Sequence, residues 1–437
     1  MSRRAVAAAI TALLAAPAIA QTGQVEFSDR RDPPPWTSLS EAQRQRYDLG
    51  HALFNTQWVA AGTPRAQRRD GLGPLFNSAS CDSCHNEGAR GQGAVADGLL
   101  PITMVVQLAA SASAATRRDQ SDAGDPVYGH TLNSSAIDGH AAEATVRVGY
   151  REIGGCYPDG KPWARREPHY EIGDLAYGAL SPATVIKPRI GPALFGAGLL
   201  ERVPDAEIER LQRQQAGTLR GRISWQQVDG QRRIGRFGWQ AETVSIADQT
   251  ARAFAHEMGL TSPLRARDDC SAAQKACRDA ADGGTPEVSG EFFDALVAFG
   301  SWLAVPKSSE TAANGAPLFA SVGCAACHQP QLKVRIDDRD DNIAAYTDLL
   351  LHDLGAGLSD RDARGRRVAS RWRTAPLWGL GQLHRSGREI SLLHDGRARS
   401  VEQALLWHDG EAAAARQAFE RLPEPQRLTL LRWVEQR

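Results

Sequence analysis

The residues whose types and spacing could do chemistry lie in two short runs, Cys81-Asp-Ser-Cys84-His85 and Cys324-Ala-Ala-Cys327-His328. Each reads C-x-x-C-H. Two thiols at that spacing can add to the two vinyl groups of one haem, and the adjacent imidazole then swings beneath the ring to bind iron from the proximal side. A bare C-x-x-C pair could instead hold zinc or act as a redox dithiol. The histidine after both pairs, and the lack of a βαβ pattern around them, favour haem. With seven cysteines and eleven histidines in 437 residues, chance repetition of the pattern is negligible. The expected cofactors are two covalently bound haem c groups, attached through Cys81, Cys84, Cys324 and Cys327, with His85 and His328 as proximal iron ligands.

The two runs belong to a longer repeat. Pro74-Leu75-Phe76 precedes Cys81 at the spacing with which Pro317-Leu318-Phe319 precedes Cys324. A looser echo follows each: Arg189-Ile-Gly-Pro192 leads into Gly196, Gly198 and Leu200, and Arg373-Thr-Ala-Pro376 into Gly379, Gly381 and Leu383. Self-similarity on this scale suggests two cytochrome-c-like halves with one haem each. Three cysteines remain. Cys270 and Cys277 lie in one polar loop, and a local disulfide is the favoured reading in an oxidising compartment, with two free thiols as the alternative. Cys156 has no partner by spacing and is either a buried thiol or a redox-active one.

The elements that must position these groups can be read more coarsely. The length suits two domains or three. Fifty-one basic and fifty-one acidic residues balance, which gives no reason to expect a nucleic acid or an anionic membrane as partner. Met1-Ser2-Arg3-Arg4, the apolar run to Ala16 and Ala18-Ile19-Ala20 form a cleavable leader over 1–20, so the mature chain is expected in the periplasm. No later stretch reaches the ~18 apolar residues of a membrane helix, so a membrane-spanning chain is not expected. Ser40, with Gln43 as capping-box partner, opens a helix over 40–60. Residues 245–259, 289–304, 400–419 and 424–437 carry helical periodicity. Alternation around Pro158-Asp159-Gly160 and around Asp229-Gly230 marks two β-hairpins, and 111–126 reads as a polar surface segment. The fold class expected is mainly α: an N-terminal haem c domain over 21–304 with β-hairpin inserts, and a C-terminal haem c domain over 305–437.

The chain resembles the di-haem oxidoreductase (thiol oxidoreductase) family, which is related to bacterial di-haem cytochrome c peroxidases. The likeness lies in 49–55, 73–85, 181–204, 235–242, 304–306 and 346–415. Its most specific parts are the run from Tyr346 through His352 to Gly355, Arg373 to Gly381, and Leu393-His394-Asp395-Gly396-Arg397. The resemblance implies a helical two-haem protein of the periplasm. It also implies a peroxidase-like reaction, in which peroxide or another oxidant is reduced at the first haem with electrons passing through the second. The electron donor would be a small cytochrome or a cupredoxin. In related enzymes the sixth ligand of the second haem follows an H-x-G segment in a helix beginning L-E-x-A, and is Met or Tyr. Here Val401-Glu402-Gln403-Ala404 follows His394-Asp-Gly, and the matching position is His408. His408 is therefore expected as distal ligand of the second haem, and imidazole in place of thioether would lower its potential.

His352 and His394 are candidates either for a place at the haem or for a structural role. Related peroxidases use a glutamate for proton transfer at the first haem, and Glu201, after the first echo, is the candidate acid–base residue. Trp239 and Trp302 are candidate electron relays or core residues. Relatives hold a calcium ion between their domains, but no dense Asp-Gly ligand loop marks one in this sequence. A non-catalytic di-haem electron carrier, and a haem-dependent oxidase of a protein partner, are the competing readings.

Overall fold

The computed structural model describes residues 24–25, 34–64, 66, 68–110, 123–308, 315–385 and 389–437. The leader expected over 1–20 and most of the polar segment at 111–126 lie outside the described residues.

The first haem motif is enclosed by helices whose ends follow from local sequence. Ser40 accepts the Gln43 amide at 3.3 Å while the Gln43 side chain accepts the Ser40 amide at 2.9 Å, closing a capping box at the start of Glu41–Phe54. Ser289 caps Gly290–Trp302 in the same way from one side. The two helices pack closely because Gly50 has no side chain: a Cβ there would lie 2.0 Å from the Ala295 carbonyl oxygen. Tyr47, Phe54 and Phe299 interlock at this crossing, with ring centroids 5.1 and 4.9 Å apart. The short helix Ala197–Glu201 approaches the same partner through Gly198, whose Cβ position is 1.8 Å from the Ser301 carbonyl oxygen. Ile246–Ala253, capped by Ser245, runs into a π-helical turn at Phe254–Met258. The second motif is enclosed by Gly315–Ser321, Val401–Leu406, Ala413–Glu420 and Glu424–Glu435.

The expectation of a mainly α fold is wrong. About 30% of the chain is helical and 23% is strand. The two anticipated hairpins are present, as Thr145–Cys156 with Pro162–Gly173 and as Trp225–Val228 with Gln231–Ile234. A five-stranded antiparallel sheet was not anticipated. It orders Arg367–Val368, Asp360–Asp362, Val185–Ile190, Met104–Ala109 and Thr131–Leu132. A third hairpin, not anticipated, pairs Leu332–Ile336 with Arg339–Ile343 in the C-terminal half. These strands escape periodicity because most have only two to six residues. Val185–Ile190 even contains Pro188, which demotes a strand reading.

The five-stranded sheet binds the two halves of the chain together. Val185 and Ile186 pair with Asp362 and Arg361, and the buried Arg189 guanidinium forms a two-pronged pair with Asp360 at 2.8 and 2.9 Å. The long hairpin adds a second tie. Tyr157, at its tip, packs in the C-terminal core and donates to Glu402 at 2.7 Å. Arg166, farther along, donates to the Arg397 carbonyl at 2.8 Å. No helix among the described residues is long and apolar enough to cross a membrane.

Replacing Gly50 by Ala should force the two crossing helices apart and destabilise the protein by about 1–3 kcal/mol, the usual cost of overpacking. A urea unfolding midpoint unchanged from wild type would contradict this account of the helix pair.

Candidate haem-binding sites

The first motif forms one helical turn, Cys81–Cys84, started by the Ser80 hydroxyl accepting the Ser83 amide at 3.3 Å. Burial pushes the Cys81 thiol up to about 12, and burial together with the nearby Glu257 does the same for Cys84. Burial likewise drives Cys324 to about 12. The His85 ring lies flat against the backbone of Gly191, where a Cβ would stand 2.5 Å from His85 Cε1. Its Nδ1 is buried without a well-formed hydrogen bond, and burial lowers its pKa despite the nearby Pro192 backbone. A cavity of about 180 Å³ opens over Cys81 and His85, walled by Pro192, Phe195, Phe237, Phe254, Phe299 and Trp378. Its polar lining is sparse: Arg90, Trp239, Gln249, Thr250 and Arg373, with the sulfur-bearing Met258.

The second motif borders a cavity of about 210 Å³ lined by Cys324, Cys327, His328, His352, His394 and His408. His328 donates through Nδ1 to the Tyr346 carbonyl at 2.9 Å, and His408 through Nδ1 to the Ala404 carbonyl at 2.8 Å. In each ring this leaves Nε2 as the coordinating atom, the arrangement in which a backbone acceptor fixes a metal-binding tautomer. Burial lowers His328 to about 4 and lowers His408 also, so both are neutral. The structure thus brings His328 and His408 into one cavity.

His352 stands 3.7 Å from Cys327 Sγ. Burial alone would lower it, but hydrogen bonds to Asp348 and Cys327 and the charge of Asp348 push it up to about 11. Its two nitrogens donate to Asp348 and Glu411, each at 2.9 Å, and are both engaged. His394 stacks on Trp372 at 3.8 Å, and burial holds it down at about 3. Glu201 lines neither cavity; its Oε1 accepts the Ile246 amide at 2.8 Å, one residue behind the wall of the first. Trp302 also lines neither. Cys270 and Cys277 are joined as a disulfide, and Cys156 is exposed at the end of the long hairpin.

Between the cavities stand Arg90, Trp239 and Arg373, which line both. The two guanidinium groups are buried. Arg90 Nε and Arg373 Nη1 have no hydrogen-bond partner; Arg373 Nε donates to the Gly238 carbonyl at 3.1 Å, the charge of Glu242 acts on Arg373 from a distance, and no ion pair to either is found among the described residues. Burial, with the charge of Arg373, lowers Arg90 to about 10, and burial lowers Arg373 to about 10. Two unpaired buried cations cost several kcal/mol each unless an anion meets them. The carboxylates of haem propionates would supply that anion, and Arg presents the planar fork that matches it. The residues present therefore fit two haems, with Arg90 and Arg373 as the groups that would hold propionates.

The comparison with protein families agrees. The family profile described as "Di-haem oxidoreductase, putative peroxidase" matches residues 15–113 and 143–436. The chain belongs to the di-haem oxidoreductase family. Its cofactors are accordingly haems, and its chemistry is oxidation and reduction. No curated protein matches it. Among solved structures, hydrazine synthase from Kuenenia stuttgartiensis covers 100% of both chains at 12% identity with a TM-score of 0.36, a likeness too weak to carry argument.

Sequence reasoning missed Arg90, Gly191 and Gln249. Gly191 had a usable signal, since it is the residue before Pro192 in the first echo. Arg90 and Gln249 had none, because what singles them out is the cavity they line.

Gly191→Val should displace the His85 ring and alter the ligand field of the first haem while the second keeps its spectrum. Resonance Raman spectra of the ferrous protein check this, and an unperturbed first haem would contradict it.

Proposed function

We propose that the chain is an exported, periplasmic peroxidase-type enzyme in which haem c is covalently attached at Cys81 and Cys84 in the first cavity and at Cys324 and Cys327 in the second. Its leader, 1–20, is removed, and the haem domains are 21–304 and 305–437. When bound, the two irons supply one-electron redox chemistry. Peroxide, or another small oxidant, is reduced in the first cavity with electrons received through the second, and a small cytochrome or cupredoxin is the donor.

The observation that carries this reading is the inequality of the cavities. The second presents two imidazoles, His328 and His408, enough to complete a six-coordinate electron-transfer centre. The first presents His85 alone; no second histidine and no carboxylate is among the described residues lining it. A small oxidant can therefore take the remaining side. Gln249 faces that space, and its carbonyl accepts the Thr243 hydroxyl at 2.9 Å, which leaves its amide N–H groups as donors to a bound oxidant. Glu201 acts in this account as a positioning residue: it holds the Ile246 amide at the start of the helix that carries Gln249.

Trp239 is the relay between the sites. It lines both cavities, and its indole N–H donates to the Ile190 carbonyl at 2.7 Å, which fixes the ring in place. One observation favours the non-catalytic carrier instead. Met258 lines the first cavity, and its thioether could complete the first iron's coordination.

Peroxide-dependent oxidation of a reduced small cytochrome separates the readings. The enzyme reading expects turnover that falls at least about tenfold, some 1.4 kcal/mol of barrier, in Trp239→Phe with both ferric haem spectra unchanged. No turnover by wild type, with Met258→Leu converting the first haem to high spin, would establish the carrier instead.

A further inference from the structure

A second cluster of metal-binding groups lies away from both motifs. His130 follows a tight turn at 125–129, His256 sits in the π-helical turn Phe254–Met258, and Asp269 immediately precedes the disulfide loop. One donor atom from each lies within 4.8 Å of the other two. From this geometry we infer that His130, His256 and Asp269 form a third metal site, selective for a divalent transition ion of the zinc class.

The position of each donor has a physical cause. Asp269 is held by both of its oxygens: Oδ2 accepts the His130 amide at 2.7 Å, and Oδ1 meets His130 Nδ1 at 2.5 Å. Gly129 permits that approach, since a Cβ there would stand 2.7 Å from the carboxylate. His256 is 5% exposed, and its ring stacks on that of His130, with centroids 4.5 Å apart and planes 4° from parallel. Burial, with the charges of Arg252, His130 and Arg265, also keeps it neutral, which is the form that binds metal.

Two imidazoles and one carboxylate suit zinc and its first-row neighbours, whereas calcium or magnesium would demand oxygen donors throughout. Bonds of about 2.1 Å place tetrahedral donors roughly 3.4 Å apart, so binding an ion asks His130 and Asp269 to part from their 2.5 Å contact and the two stacked rings to turn toward the ion. Arg252 and Arg265 oppose a dication here. Asp268, Glu143 and Glu257 also lie within the field of Asp269, but burial raises all three, Glu143 to about 8 and Glu257 to about 7, so those two glutamates add little negative charge at neutral pH. Entry is open from solvent, because the His130 side chain is 22% exposed and that of Asp269 11%. π-Helical turns recur at functional sites, and this one also contributes Phe254 and Met258 to the wall of the first haem cavity.

The test uses the full-length di-haem protein, stripped with a chelator and titrated with Zn²⁺. Calorimetry should show one saturable site per chain, and plasma mass spectrometry after desalting should find one zinc for every two irons. Zinc-edge X-ray absorption should show a shell of nitrogen and oxygen with imidazole scattering. His256→Ala and Asp269→Asn should each weaken binding at least about tenfold, with haem spectra intact, and His140→Ala should not. Failure of the wild type to bind zinc saturably, binding unchanged in His256→Ala, or a sulfur-containing shell would each overturn the proposal. The site does not depend on the haem ligation proposed above, so either reading can fail alone.

Discussion

The constraint on which the rest of this structure depends is a pair of positive charges that no ion pair among the described residues answers. Arg90 and Arg373 are buried between the two cavities, line both, and keep nitrogen atoms without acceptors. Two other buried arginines are answered by carboxylates, Arg189 by Asp360 and Arg397 by Asp395, and a third, Arg166, by three backbone carbonyls. Desolvating a guanidinium costs several kcal/mol, so an unanswered pair makes sense only where anionic cofactors complete it. The folded polypeptide is in this sense half of an electrostatic assembly. Haem propionates would be the other half, and Arg90 and Arg373, which line both cavities, are the residues that would hold them.

That requirement explains why the halves of the chain are woven together. A sheet that pairs Val185 with Asp362 joins segments nearly two hundred residues apart and places Ile190 and Gly191 beneath His85. The same region meets the C-terminal half through Gly93, where a Cβ would stand 2.8 Å from the Gly396 carbonyl oxygen. The long hairpin then reaches across, and Arg165 and Arg397 cover the two faces of Trp407, the residue before His408. The ligand-bearing loops are thus braced from the opposite half, and the spacing between the sites is a property of the whole fold.

Part of the candidate site was legible because the C-x-x-C-H spacing is itself a local signal for haem, and haem is the cofactor of the family. Cys81 to His85 and Cys324 to His328 could be read with no structure at all. His408 was reachable through its distance from His394-Asp-Gly, and the capping box at Ser40 announced its helix. Less visible were features made by contacts distant in sequence. The five-stranded sheet is built from short strands, one carrying Pro188, and no local pattern marks them. Arg90 has an ordinary sequence context, and only burial beside Arg373 gives it meaning. Glu201 followed a Gly-Leu-Leu run that suggested a place at the first haem, but its carboxylate holds a helix start behind the cavity wall. The cluster of His130, His256 and Asp269 spans 139 residues and has no motif.

Unequal ligation of two otherwise parallel sites is the central claim, and electron paramagnetic resonance of the ferric protein tests it most directly. The account predicts one low-spin bis-imidazole haem, whose signal is lost in His408→Ala, beside a second haem whose signal does not change in that variant. Two identical low-spin bis-imidazole signals, or a spectrum indifferent to His408→Ala, would contradict it.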